Sequence, residues 1–156
     1  MGKDYLRYHT KINPVKEGMN LKQCELSNEE MLRRKNIVMS TRKMISDVLE
    51  IVSQDETSIM TSYRDFFLQV SFSDLHPLMV FCLAKPIEVA RDDFASRSNK
   101  VNLTSVLGSH CVNEYYGCYH YRATHWLDTE ITQTRFFEIL DRCVDEASRG
   151  YQKVAS

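Results

Sequence analysis

The sequence is poor in glycine. It has five glycines, at positions 2, 18, 108, 117 and 150, and no two of them lie within eight residues of each other. A phosphate-binding loop needs closely spaced glycines so that backbone amides can surround the anion. The scarcity therefore argues against a nucleotide-binding protein of that kind.

Long apolar runs and a strong charge excess are also missing. No stretch approaches the roughly 20 apolar residues that span a bilayer, and the first 28 residues contain no apolar signal-peptide core. The formal net charge is −1, whereas proteins built to hold nucleic acid are usually basic. We therefore expect a cytoplasmic protein without a membrane partner, and we disfavour nucleic acid as a partner.

Disulfide and catalytic signatures are absent as well. The five cysteines are an odd number without the spacing of a small secreted domain, which favours reduced thiols. There is no G-x-S-x-G elbow and no local cysteine-nucleophile signature. No motif names a reaction, so we expect a protein that is not an enzyme and has no cofactor.

The chain length of 156 residues suits one domain. Residues 1–26 are polar and show no hydrophobic period, which predicts an irregular arm ahead of a single domain over residues 27–156. Ser27 followed by Glu30 is a capping box that predicts a helix over residues 28–52.

The remaining segments predict strands and two more helices. Residues 57–90 read as three strands in sequence, in which "FFLQVSF" alternates between two faces. A second helix begins at Asp92 or Asp93 and has Gly108 at its C-cap, a hairpin follows, and a third helix covers residues 129–154. The predicted class is α+β, a five-stranded antiparallel sheet with flanking helices in the order α-β-β-β-α-β-β-α.

This order resembles the fold of the type III secretion chaperones. The C-terminal half is similar to the YbjN family of bacterial proteins, which shares that fold. The residues that carry the resemblance are Asn102, Gly108, Gly117, Tyr121 and Arg122. It covers residues 57–154 well and the first helix loosely. The resemblance implies a bacterial chaperone-like or regulatory binding protein that forms a homodimer.

The stretch "HCVNEYYGCYHYRATHW", residues 110–126, suggests an alternative. Strand alternation places His120 and His125 on opposite faces, so they do not share a metal. A two-residue turn at 116–117 would set Cys111 opposite Arg122. A four-residue turn at 114–117 would instead cluster Cys111, Cys118 and His120 on one face. The second hypothesis is therefore a small metal- or thiol-dependent enzyme centred on those three residues.

The first hypothesis is a non-enzymatic binding protein, and it rests on the second face of the sheet. Phe67, Arg122 and Trp126 are assigned to that face, which is not plainly polar. Either the second helix or the N-terminal arm covers this face, or a partner does, and the sequence is compatible with both. We expect a partner segment or a second copy of the chain to dock there. Arg122 and the basic cluster around Arg33 and Arg42 would favour acidic partners.

Overall fold

The computed structural model describes residues 26–73 and 76–156. Within those residues it contains three helices and six strands. The helices are α1 (Asn28–Val48), α2 (Phe94–Asn102) and α3 (Gln133–Ala155). The strands are β1 (Ser53–Gln54), β2 (Ser58–Tyr63), β3 (Phe66–Phe72), β4 (Leu78–Pro86), β5 (Gly108–Asn113) and β6 (Cys118–Trp126).

The strands form one antiparallel sheet in the order β1-β2-β3-β4-β6-β5. The α+β class and the antiparallel pairing are therefore confirmed. The predicted count of five strands is wrong, because the described residues also contain β1. This strand is only two residues long, pairs Ser53 with Met60, and is too short to show an alternating pattern.

Alternation in the strands sorts side chains to two sides of the sheet. In β3, Phe66, Leu68, Val70 and Phe72 are buried while Phe67 and Gln69 are exposed, as the sequence predicts. The core lies between this side and the helices. No helix in the described part of the chain is long and apolar enough to cross a membrane.

The first helix is shorter than predicted. Ser27 caps it by accepting a hydrogen bond from the Glu30 amide at 3.1 Å, but the Glu30 carboxylate binds Arg33 and Arg34 instead of closing the capping box. The helix ends at Val48, so Val52 falls outside it. The predicted arm over residues 1–26 lies outside the described residues except for Leu26.

The end of α2 also differs from the prediction. Asp93 is the N-cap, but its side chain binds Arg91 and Arg97 rather than a helix amide. Gly108 is not a C-cap residue. It is the first residue of β5, where a β-carbon would lie 2.5 Å from the carbonyl oxygen of Arg122.

The carboxylate of Glu146, on α3, fixes the loop that leads into β5. It accepts hydrogen bonds from the backbone amides of Val106, Leu107 and Gly108, at 3.0 to 3.2 Å. It also accepts one from the Tyr121 hydroxyl at 3.1 Å. Burial alone would raise the pKa of Glu146, but the hydrogen bonds outweigh it and the pKa is lowered.

His110 lies in the core between two tyrosines. Its Nδ1 is 2.5 Å from the hydroxyl of Tyr119, which also donates to the carbonyl oxygen of Ala147. Its Nε2 has no hydrogen-bond partner among the described residues. Gly150 makes room for the ring, since a β-carbon there would collide with it. Burial lowers the pKa of His110.

We expect Glu146→Ala to lower the free energy of unfolding by about 2–3 kcal/mol, because it strips the loop amides and the Tyr121 hydroxyl of their acceptor. Urea denaturation would measure this change. Glu138→Ala is the matched control on the same helix, and we expect it to cost less than about 1 kcal/mol because Glu138 forms only an exposed ion pair with Arg135. Equal losses would show that Glu146 has no special role.

We expect His110 to make the fold sensitive to acid. Because the pKa is lowered in the folded state, the folded chain binds this proton less tightly than the unfolded chain does. Its contribution to stability is therefore complete above the ordinary histidine pKa of about 6.5 and is lost as the pH falls below it. Between pH 8 and pH 5, the free energy of unfolding measured by urea denaturation should fall more steeply for the wild type than for His110→Gln. Parallel curves would contradict this.

Candidate functional site

One side of the sheet has no helix over it within the described residues. We call it the open face. Alternation along the strands places Met60, Phe67, Arg122 and Trp126 on it, opposite the buried core residues of the same strands. The second helix does not cover this face, because α2 packs against α3 and the edge strand β5.

The strand registers arrange the open face in rows across the sheet. Each row takes one residue from β2, β3, β4, β6 and β5 in turn. One central row consists of Ser62, Phe67, Ala84, His120 and Cys111. The row beside it consists of Met60, Gln69, Cys82, Arg122 and Ser109. Aromatic, aliphatic, thiol and cationic groups therefore lie side by side on a surface that strand pairing holds rigid.

An apolar cleft of about 300 Å³ lies at one end of this face. Phe67, Met60, Ala84 and Val52 line it, and the Phe67 side chain is 63% exposed. Of these residues, only Phe67 is a site prediction from the sequence. Strand alternation could have placed Met60 on this face, because it is exposed between two buried neighbours in β2. Val52 follows no such pattern, because it reaches the cleft from the turn after α1.

Trp126 stands at the far corner of the open face. It is 56% exposed and meets the ring of His76 edge-on, with 6.1 Å between ring centroids. Phe67 shares a row with His120, which is six residues from Trp126 along β6. At about 3.3 Å per residue and 4.8 Å per strand, the two aromatic residues are about 22 Å apart. Arg122 is exposed in the region between them.

The β5–β6 hairpin has the four-residue turn. Cys111 pairs with His120 and Asn113 pairs with Cys118, so residues 114–117 form the turn. Gly117 occupies its last position with φ +58, a left-handed conformation that glycine adopts without strain. Cys111, Cys118 and His120 thus share the open face, as the four-residue turn predicts.

The geometry around these thiols is not that of a metal site. Among the described residues, no three His, Cys, Asp or Glu side chains are placed to hold a metal ion. Cys118 donates instead to the carbonyl oxygen of Lys85, and Cys82 lies 3.8 Å from His120 Nδ1. Burial raises the pKa of Cys82, Cys111 and Cys118, which keeps them as thiols rather than reactive thiolates.

Two of the residues that carry the sequence resemblance, Asn102 and Tyr121, make structural contacts. Asn102 donates to the carbonyl oxygen of His110 and accepts from its amide, at 2.9 and 2.7 Å, which ties the end of α2 to β5. Tyr121 is fully buried against Glu146, and burial raises the pKa of its hydroxyl strongly. These contacts hold the fold together, and they lie on the core side, away from the open face.

The basic cluster on α1 is largely engaged. Arg33 and Arg34 bind Glu30, and Lys43 binds Asp47. Arg42 donates to the carbonyl oxygens of two residues in the turn before β2. The charge that α1 offers to an acidic partner is therefore smaller than the sequence suggests, and Arg122 is the exposed cation on the open face.

The described chain is an α+β fold with one antiparallel sheet and with helices on one of its faces. Three solved structures are similar to it in fold, at TM-scores of 0.50 to 0.53. The HopA1–SchA chaperone–effector complex contains a chain with a TM-score of 0.52 and 9% identity, covering 81% of this chain and 99% of that one. YbjN, a proposed transcription regulator from E. coli, has a TM-score of 0.53 and 10% identity, covering 72% and 87%.

The third structure is the Yersinia pestis type III secretion chaperone SycH in complex with a stable fragment of YscM2. Its TM-score is 0.50 at 13% identity, and the match covers 72% of this chain and 98% of that one. No protein-family model and no curated protein matches the sequence. The resemblance to YbjN and to the type III secretion chaperones is confirmed at the level of the fold.

We expect the thiols to react in the order of their exposure. In a Cys24→Ser background, iodoacetamide should label the exposed Cys111 first, the half-buried Cys82 and Cys118 more slowly, and the buried Cys143 only in denaturant. Mass spectrometry would follow each site. All should react more slowly than free cysteine at pH 8. Faster labelling of Cys118 than of free cysteine would favour the thiol-enzyme alternative.

Proposed function

We propose that this protein is a non-enzymatic binding module, chaperone-like or regulatory, that docks a segment of a partner protein on its open face. The observation that carries the proposal is the exposure of Phe67 and Trp126 on a rigid sheet surface that no described helix covers. Exposed aromatic side chains beside an apolar cleft are typical of interaction sites, because burying them on binding releases free energy.

The spacing of the anchors suggests the form of the bound segment. An extended chain of about seven residues spans about 22 Å, which matches the separation between Phe67 and Trp126. Such a segment would place one apolar side chain in the cleft beside Phe67 and a second against Trp126. An acidic residue near its middle would pair with Arg122, so we expect acidic partners to be preferred.

The structural neighbours support a protein partner. Two of them are chaperones solved in complex with a bound effector or protein fragment. A second copy of this chain is another occupant for the same surface, and the homodimer implied by the resemblance stays a prediction. A location in a bacterial cytoplasm is likewise an expectation.

The metal- or thiol-dependent enzyme remains the second candidate because Cys111 and His120 are direct cross-strand neighbours. The raised pKa values of Cys111 and Cys118 weigh against it. Stoichiometric zinc in the purified protein, lost in Cys118→Ser, would reverse this preference.

We expect Phe67→Asp and Trp126→Asp each to weaken docking at least about tenfold, since exposed aromatic anchors dominate such interfaces. The measurements are sedimentation over a concentration series, for self-association, and affinity capture from a bacterial cytoplasmic extract, for a partner. Trp126 is the only tryptophan in the chain, so its fluorescence should shift to the blue when the face is covered in the wild type.

Val106→Asp is the matched control, because Val106 is 86% exposed and lies on the loop before β5, away from the open face. Retention of the partner or dimer by Val106→Asp, with loss in Phe67→Asp, supports the proposal. If only Val106→Asp loses the partner or dimer, the binding surface lies on the loop before β5, and the proposal is overturned. Arg122→Glu should weaken binding of an acidic partner and leave an apolar one unaffected.

A further inference from the structure

A second cleft, of about 130 Å³, lies on the core side of the sheet between β6, α3 and the loop before β5. Phe81 and Ala123 form its floor, and Leu107 and Ile139 form apolar walls. In another protein, an apolar cavity of about 150 Å³ accepts benzene. The volume therefore suits one aromatic ring or one branched alkyl group.

The cleft follows from the end of strand pairing. The β5–β6 ladder ends at the pair Gly108 and Ala123, whereas β6 continues to Trp126 against β4. The loop before β5 therefore turns away from β6, and Glu146 holds the amides of this loop in place. The cleft is therefore open in this structure, and its loop wall is held by hydrogen bonds.

Its rim is cationic. Arg135, Arg142 and His125 line it, and within the described residues Arg142 takes part in no ion pair. Arg135 pairs with Glu138 at 3.0 Å, but both side chains are about half exposed, so this pair is weak. The carboxylates of Asp128 and Glu130 line a neighbouring cleft with His125 and Arg135, so Arg142 is the main positive charge of the rim.

The imidazole of His125 reflects this environment. Burial lowers its pKa most, and the nearby Arg135 lowers it further, whereas the Asp128 carboxylate opposes the shift without reversing it. The lowered pKa favours the uncharged ring, one of whose nitrogens can donate a hydrogen bond to an anion.

We propose that this cleft binds a small free carboxylate whose apolar part is the size of a benzene ring or a branched alkyl chain. The carboxylate lies at the rim between Arg142 and Arg135, and the apolar part lies on Phe81 and Ala123. An arginine and a carboxylate form charge-assisted hydrogen bonds, which are stronger than neutral ones. The site is separate from the open face and does not depend on the docking function.

Titration of the full chain with benzoate, followed by NMR, tests the proposal. We expect saturable shifts at His125 and at the Ile139 methyl groups, with a dissociation constant on the order of 1 mM, typical of a ligand this small. Benzyl alcohol, which has the ring without the charge, and acetate, which has the charge without the ring, should each bind at least about fivefold more weakly. N-acetylphenylalanine should also be weaker, because 130 Å³ leaves no room for its amide.

Arg142→Gln should weaken benzoate at least about fivefold, and because Arg142 is exposed the variant should fold normally. Arg149→Gln, seven residues further along α3 and outside the cleft, and Arg122→Gln, on the open face, are the controls and should bind as the wild type does. Failure of benzoate to saturate, equal binding of benzyl alcohol, or unchanged affinity in Arg142→Gln would each overturn the proposal. Both ligands carry a free carboxylate, so tighter binding of N-acetylphenylalanine than of benzoate would overturn the size that the cleft sets for the ligand.

Discussion

The hydrogen bonds of the Glu146 carboxylate are the contact on which the arrangement of this protein depends. One side chain on α3 gathers the amides of the loop before β5 and the Tyr121 hydroxyl, so the helix, the loop and the sheet are joined at a single buried point. A buried carboxylate is stable only where donors surround it. Those donors fix where β5 begins, which in turn decides how far β6 is covered, how the cationic cleft is shaped and where His110 enters the core.

Much of the fold could be predicted from the sequence because alternation is a local property. The pattern from Phe66 to Phe72 and the parity of Tyr121 against Trp126 are each contained in a single strand, and the observed faces agree with them. The resemblance to chaperone-like proteins was also within reach, because it rests on the order of the elements. The docking role of Phe67, Arg122 and Trp126 stays a prediction.

What could not be predicted depends on contacts between distant parts of the chain. A glycine after a helix reads as a C-cap, and only the approach of the Arg122 carbonyl shows that Gly108 belongs to a strand. Alternation could not decide the hairpin register, because a two-residue turn and a four-residue turn both place Cys111 on the same face of the sheet. The rim of the second cleft brings together Arg142 and His125, which no local pattern connects.

The separation of the two faces has a consequence for how such proteins diverge. Residues that stabilise the fold point towards the helices, and exposed residues of the open face, such as Phe67 and Trp126, point away from them. A substitution on the open face can therefore change the chemistry of that surface while folding is preserved. A substitution in the core instead changes stability and leaves that surface as it is. The same fold can therefore carry very different sequences, and the three solved structures similar to this chain share only 9–13% identity with it.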